Sequence, residues 1–537
     1  MRKTILPLVA ALFLTGPAVL GAQQQPWPSD GSAANDTERV EAEIFQRTFE
    51  AIRDYSLDSM ADSVLWEKAI EGLVKELDDP YATVLDPEEV AQFQEDSTGD
   101  YAGVGITIQE LNNAVTVTAV FRDTPAEQAG LQVGDRIVGV GDESAEGWSV
   151  SQASSQIRGE VGTTVEITVE RDGLSEPMTL EIERDEVHVP AVTADRVFDD
   201  LGYVFVDRIA RDAAAEVDSV LTELDGARGL ILDLRRNPGG YLDESLSLAD
   251  LFLERGSVLV NTKSRTPGEA GGTREDAGHA RGDPRIPEKP IIVLVDRYTA
   301  SAAEIIAGAL QDHDRALVLG ERTFGKGVVQ TVLPLPGDRL IRLTTGEWYT
   351  PQGRSLNRPR DADGEALEGQ GEPTEDYRSV GGRTLRGGGG VFPDMDIAAD
   401  TLSANEREFM EAVARAEVPL TLRIHETAFD AAQRARSGEG PADIGPDVLQ
   451  ELVAELESSG VDLELLDDSG VKDYLLWQLR VAFFQRLDQE GRSLEVRAER
   501  DSVLAKAVEL LSEAENPTDL FAYVAEREEA QEGSRHR

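Results

Sequence analysis

Hydrophobic and polar positions recur with two different periods along this chain, and the pattern changes near residues 98, 187 and 399. In residues 37–97, Ile44, Phe45, Phe49 and Ile52 form one apolar stripe. Trp66, Ile70, Leu73 and Leu77 form another, at spacings of 4, 3 and 4. Those spacings predict amphipathic helices whose apolar faces pack on the core or on a second subunit. Asp79-Pro80 ends the second helix, because a residue before proline is pushed out of the helical region. Residues 98–186 switch to a period of two: Val115, Val117 and Ala119 share a face, as do Val165, Ile167 and Val169, and Met178, Leu180 and Ile182. Between them Val150, Ala153 and Ile157 suit one short helix, so this stretch is a small β-rich domain.

From 187 to 398 continuous apolar strands alternate with helical stretches. Tyr203-Val204-Phe205-Val206 precedes a helix from Ala213 to Leu224. Leu230-Ile231-Leu232-Asp233-Leu234 precedes one through Leu242, Leu246, Ala249 and Leu253. Such a series predicts a parallel sheet with its chemistry near the strand ends. Residues 265–290 interrupt it as a Gly-, charge- and Pro-rich loop, and residues 356–390 as a low-complexity insertion that closes on four glycines, 387–390, and reads as mobile. Residues 399–537 read as an acidic helical extension with one clear stripe, Leu476, Leu479, Phe483 and Leu487, suited to packing or dimerisation, a regulatory role being the second reading. The expected fold class is multidomain α/β: an α/β core, an inserted or preceding β-rich domain, and helical N- and C-terminal segments. A length of 537 residues, enough for three or four domains, fits that division.

Composition removes several kinds of chemistry. The absence of cysteine excludes disulfides, thiol catalysis and thiolate-bound zinc. The five histidines are scattered, and His425-Glu426 lacks the second histidine of a zinc-peptidase helix, so no metal site and no cofactor are expected. The net charge of −50 is spread along the chain: residues 401–537, a quarter of its length, hold 30 acidic and 15 basic side chains. It reads as a solvating surface, and it makes nucleic acid a poor partner, since phosphates are repelled. At the N-terminus Arg2 and Lys3 precede an apolar run from Ile5 to Leu14, then Gly21-Ala22. Residues 1–22 therefore read as a secretory signal peptide cut after Ala22, with 23–36 as a linker. The reading predicts export to the periplasm or another extracytoplasmic space; the alternative is an uncleaved membrane anchor.

Candidate chemistry concentrates in residues 291–330. The strand Ile291 to Asp296 turns through Arg297-Tyr298-Thr299 into the helix Ala300 to Leu310, which places Ser301 among the unpaired N–H groups of a first helical turn. That is a place for a nucleophile beside an oxyanion site. Lys326, between two glycines, is the nearest plausible base, provided that burial lowers its pKa. If residues 326–330 are extended, Lys326, Val328 and Gln330 share a face, and the neutral Gln330 amide orients the amine without trapping it as ammonium. Gly320 to Lys326 also fits most of a phosphate-binding loop, but Gly327 stands where Ser or Thr should hold magnesium, and strand follows where a helix is needed. Ser469-Gly470-Val471-Lys472 matches a Ser-x-x-Lys motif without its companions, and Ser469 reads better as a helix cap.

Tyr298-Thr299-Ala300-Ser301-Ala302-Ala303-Glu304 and Thr323-Phe324-Gly325-Lys326-Gly327-Val328-Val329-Gln330 resemble the signature of the C-terminal processing, or tail-specific, peptidases. Leu232 to Gly240, Tyr349 to Ser355 and Val391 to Asp394 resemble further signatures of that family, and the likeness runs over residues 37–398. It implies a Ser-Lys serine peptidase with Ser301 as nucleophile, Lys326 as general base, Gln330 as its orienting partner, and the amides of Gly240 and Ala302 as oxyanion hole. Gly103-Val104-Gly105-Ile106, Ala129 to Asp135 and Arg158 to Thr164, in that order, resemble a PDZ domain, whose glycine loop meets a peptide's terminal carboxylate. Gly103, Val104, Gly105 and Ile106 are then the tail-binding residues. The implied function is an exported endopeptidase acting on proteins with free apolar C-termini, with a homodimer through the helical segments and a regulatory adaptor as further partners. An inactive PDZ-bearing scaffold is the alternative.

Overall fold

The computed structural model describes residues 36–523 except 112, 172–173, 199, 267–271, 362–363, 368–375, 399–400 and 441. The expected signal peptide lies outside the described residues, as does the expected linker up to residue 35; Asp36 already opens a helix.

At the centre is a six-stranded sheet in the order Val192–Val197, Leu201–Val206, Gly229–Asp233, Ile291–Val295, Leu317–Gly320, Met395–Asp396. Only the first pair is antiparallel. The three middle strands are buried at every position, which is why they read as unbroken apolar runs. Helices Ala213–Glu223, Leu242–Asp250 and Ala302–Asp312 cover one face. The other face needs the C-terminal extension: Leu494, Val503, Leu504, Leu510 and Leu511 pack on Ile231, Ile292, Leu294, Leu317 and Leu319. Part of the extension is thus a layer of the core. Helices Ala404–Arg415, Leu420–Arg436, Pro446–Ser458 and Ser469–Arg486 build a second apolar centre of their own, around Phe409, Leu452, Leu479 and Phe483.

The β-rich domain is a six-stranded antiparallel sheet running from Ile106–Leu111 to Met178–Glu183, closed by the helix Val150–Ile157. A capping box between Ser149 and Gln152 starts that helix. The chain enters and leaves this domain through Asp100–Gly103 and Asp185–His188, which pair with each other as a two-stranded ribbon. The domain is therefore an insertion hung on a paired stalk.

Two expected loops are ordered differently. Within 265–290, Thr273–His279 is a strand paired with Val258–Arg265. These strands join Val328–Leu335, Arg339–Tyr349 and Thr83–Leu85 in a second, antiparallel sheet. The glycine run closing 356–390 is packed. A side chain on Gly390 would lie 2.6 Å from the Thr323 carbonyl, and one on Gly325 would lie 3.0 Å from the Gly389 backbone. Glycine is needed there because two backbones cross in contact. The N-terminal helices Asp36–Tyr55 and Asp62–Lys75 are held together by Phe49 stacked on Trp66 at 4.0 Å. Most of the predicted stripe, including Ile44, Phe45, Ile52 and Leu73, is exposed.

Candidate active site

The site is assembled where two adjacent parallel strands end. After Gly229–Asp233, Asn237 shapes the turn: its Oδ1 accepts from the Gly239 amide and its Nδ2 donates to the Val206 carbonyl. After Ile291–Val295, Asp296 Oδ1 accepts from the amides of Arg236, Tyr298 and Thr299, which ties the two turns together. The Ala300 amide donates to the Asn237 carbonyl at 2.9 Å. The turns press so closely that a side chain on Gly239 would stand 2.9 Å from Ser301 Cβ, and one on Gly240 would stand 2.0 Å from the Ile209 carbonyl oxygen. Among the described residues, neither the Gly240 nor the Ala302 amide donates a hydrogen bond.

Ser301 caps the helix Ala302–Asp312 in a rare conformation, φ 54° and ψ −117°, and is fully buried. Its hydroxyl oxygen has no hydrogen-bond partner. A serine keeps such a backbone only when its surroundings over-determine it. The constraint comes from Glu304, one turn along, whose Oε2 accepts from the Ser301 amide at 2.8 Å. The same Oε2 accepts from the Lys326 amide at 2.8 Å. Oε1 accepts from the Gly325 amide at 2.8 Å and the Thr323 hydroxyl at 2.5 Å. The Thr323 hydroxyl in turn accepts from the Val391 amide. The packed glycine run and the segment from Val391 thus form the bed on which Thr323 to Lys326 lies.

Lys326 is buried, and its amine is pushed down to about 7. Loss of water around the ammonium is the largest cause and the nearby Arg342 guanidinium the next; Glu304 and Asp79 act in the opposite sense. The amine lies 4.8 Å from the centre of the Tyr81 ring. Gln330 is also fully buried, its Nε2 donating to the Tyr81 carbonyl at 3.0 Å and its Oε1 unpaired. The strand begins only at Val328 and has a register shift between Val329 and Gln330. Residues 326–330 are therefore not one regular extended stretch, and simple alternation does not put Lys326 and Gln330 on one face. Both are instead gathered around Tyr81.

Tyr81, Arg342 and Glu304 take part without having been singled out by sequence. Glu304 had a signal, since Ser301-Ala302-Ala303-Glu304 has the spacing of a helix capping box. Tyr81 and Arg342 had none, because they reach the lysine through long-range packing of the second sheet. Gly103, Val104 and Ile106 line a different cavity, of about 680 Å³, together with Ile157 and Arg158. Gly105, in the same loop, does not line the cavity; its φ is 89°, and a side chain there would meet Thr124. The cavity runs on to Arg208 and Pro238, the residue before Gly239, so the groove of the β domain opens beside the Asn237–Gly240 turn. Among the described residues, no cluster of three or more His, Cys, Asp or Glu side chains is placed to hold a metal ion.

Comparison with known proteins agrees with this architecture. Residues 200–362 match the family described as Peptidase family S41, and residues 116–171 match a PDZ domain. The Carboxy-terminal-processing protease of Bartonella bacilliformis is 36% identical over 362 residues, covering 66% of this chain and 80% of that protein. A probable CtpA-like serine protease of Staphylococcus haemolyticus is 32% identical over 328 residues, 61% of this chain and 64% of that one. Among solved structures, a photosystem II D1 C-terminal processing protease aligns at 30% identity over 61% of this chain and 92% of its own, with a TM-score of 0.33. The chain belongs to peptidase family S41, as a PDZ-bearing serine peptidase of the C-terminal processing kind.

Proposed function

We propose that peptide bonds are cut by a Ser301–Lys326 pair through an acyl-enzyme, and that the PDZ groove selects the substrate's free C-terminal tail. The observation that carries the reading is a buried lysine whose amine titrates near 7, tied through one carboxylate to a buried serine with an unpaired hydroxyl. The neutral Lys326 amine removes the Ser301 proton as Oγ attacks the scissile carbonyl. The unpaired amides of Gly240 and Ala302 receive the oxyanion. The Lys326 ammonium then gives its proton to the departing amine, and the regenerated amine activates the water that releases the acyl group. Gln330 Oε1, which has no other partner, is available to accept from the amine and aim it.

Support for tail selection comes from the groove itself, which is apolar along Val104, Ile106, Ile108 and Ile157 beside the glycine loop, its arginines Arg158 and Arg208 being paired with Glu95 and Asp207. Export rests on Arg2-Lys3 and the Ile5 to Leu14 run; among the described residues no helix is long and apolar enough to cross a membrane. The uncovered apolar face of the N-terminal helices supports pairing of two copies. Ser301→Ala and Lys326→Ala should each abolish hydrolysis of an unfolded, apolar-tailed protein followed by mass spectrometry, with the circular dichroism unchanged. Turnover near wild type in either purified variant would overturn the pair.

A further inference from the structure

Glu304 is the one fully buried carboxylate in direct contact with both halves of the proposed pair, and the chemistry just described gives it no role. Among the described residues it forms no ion pair with a cationic side chain. Its four hydrogen bonds come from three backbone amides and a hydroxyl. Two of those amides belong to Ser301 and Lys326, which lie on different elements and are not otherwise linked by a hydrogen bond among the described residues. Burial pushes the Glu304 carboxyl up, and the four converging donors oppose that by favouring the acceptor-only carboxylate; a primary amide in its place would turn two hydrogens toward donors. The Ser301 backbone, at φ 54°, has its amide fixed by this side chain alone.

We propose that Glu304 is the positioning residue of the pair: one carboxylate fixes the backbone of nucleophile and base, holding the strained Ser301 turn against the Lys326 loop. The proposal rests on the Ser-Lys reading. It has an electrostatic corollary. The groups facing the Lys326 amine are Glu304 from the nucleophile helix, Arg342 from the neighbouring strand, and Asp79 and the Tyr81 ring from the N-terminal segment. Of these, Glu304 and Asp79 favour the ammonium and Arg342 disfavours it. Removing the Glu304 charge therefore lowers the pH at which the base becomes active.

The test measures kcat, KM and the pH profile of kcat/KM for purified full-length Glu304→Gln, Glu304→Asp and Thr323→Val, with thermal melts and Lys326→Met as control. Glu304→Gln should lose on the order of 100-fold in kcat, the cost of a misplacement near 1 Å, with KM within about threefold. Its acid limb should move to lower pH. Glu304→Asp keeps the charge, so its limb should stay in place while kcat falls. Thr323→Val, which removes one donor to Oε1, should lose about tenfold in kcat and little in KM. A kcat within threefold of wild type in Glu304→Gln, a loss confined to KM, or an unmoved acid limb overturns the proposal. Should Glu304→Gln fail to fold, Thr323→Val and Glu304→Asp decide it, and wild-type kcat in both overturns it. Hydrolysis surviving in Lys326→Met refutes the Ser-Lys reading instead, an outcome distinct from failure of the clamp.

Discussion

In the unfolded chain the Lys326 amine titrates near 10.4, in water; in the folded protein it is buried beside Arg342 and titrates at about 7. Between those two values the unfolded chain carries a proton that the folded one has released, so stability from this residue rises with pH across that window. Below about pH 7 both states are protonated and the penalty is complete, on the order of 4–5 kcal/mol. Lys326→Met keeps the length of the side chain without the charge. It should melt at least a few degrees higher than wild type at pH 6, with the gain fading toward pH 10, and should have no activity. A melting point at pH 6 equal to or below that of wild type sinks the claim that burial of the ammonium is what lowers its pKa. At this scale the sequence was informative for Ser301 and Lys326, because each sits in a dense local motif. It was silent on Arg342 and Tyr81, which approach the amine from strands and turns far away in the chain. Gln330 was reached through the motif resemblance; the strand alternation offered beside it is broken by a register shift between Val329 and Gln330.

Helices and strands were legible wherever one face meets the core and the other meets water or a second layer. The strand Ile291–Val295 and the helix Val150–Ile157 are examples, the first buried throughout and the second started by a capping box. Composition misled where polar residues build a strand. Thr273–His279 is exposed nearly throughout and pairs through its backbone and a surface Lys263–Glu275 ion pair, so it carries no apolar signal. The glycines 387–390 misled for the opposite reason: they resemble a linker, yet they are what lets this backbone lie against Thr323 and Gly325. The N-terminal helices carried a clear stripe, but most of it meets no packing partner among the described residues. Phe49 is buried against Trp66, while Ile44 and Phe45 are each 53% exposed and Leu73 is 71% exposed. Exposed apolar residues in a continuous helical stripe mark an interaction surface. Ile44→Glu combined with Phe45→Glu should convert a dimer into a monomer, read as a halving of mass by light scattering at micromolar concentration. Wild-type protein that already runs as a monomer, or a double variant of unchanged mass, removes this face from the assembly.

Over the whole molecule, the PDZ insertion on its paired stalk meets the α/β core at one groove, and the C-terminal bundle touches the insertion outside that groove. Arg158 at the end of the PDZ helix pairs with Glu95 of the helix Pro87–Thr98 and lies 4.8 Å from the centre of the Tyr101 ring. On the far side Arg486 of the bundle donates to Gln109 of the strand that borders the groove. The extension, whose role the sequence left open, thus both completes the core sheet and braces the domain that is proposed to receive substrate tails. The groove shares the acidity of a chain of net charge −50: Glu95, Asp96, Asp100 and Asp207 line it, Arg158 is paired with Glu95 and Arg208 with Asp207, and its apolar part lies beside the loop Gly103 to Ile106. A tail ending in a free carboxylate can meet backbone N–H groups there, and a charge-assisted hydrogen bond is roughly twice as strong as a neutral one. An amidated tail should therefore bind about 10- to 100-fold more weakly, or about 1.4–2.8 kcal/mol. Asp side chains would lose the apolar pocket and approach against the overall field, so a tail of aspartates should fare worse still. The measurement compares kcat/KM for one peptide ending in Val-Ala-Ala, for its C-terminal amide, and for the same peptide ending in Asp-Asp-Asp, at low and at physiological salt. The free apolar tail should be cut fastest, and the deficit of the aspartate tail should shrink as salt screens the field. Equal rates for all three peptides would mean that the groove beside Pro238 does not select tails, and that cleavage is set at Ser301 alone.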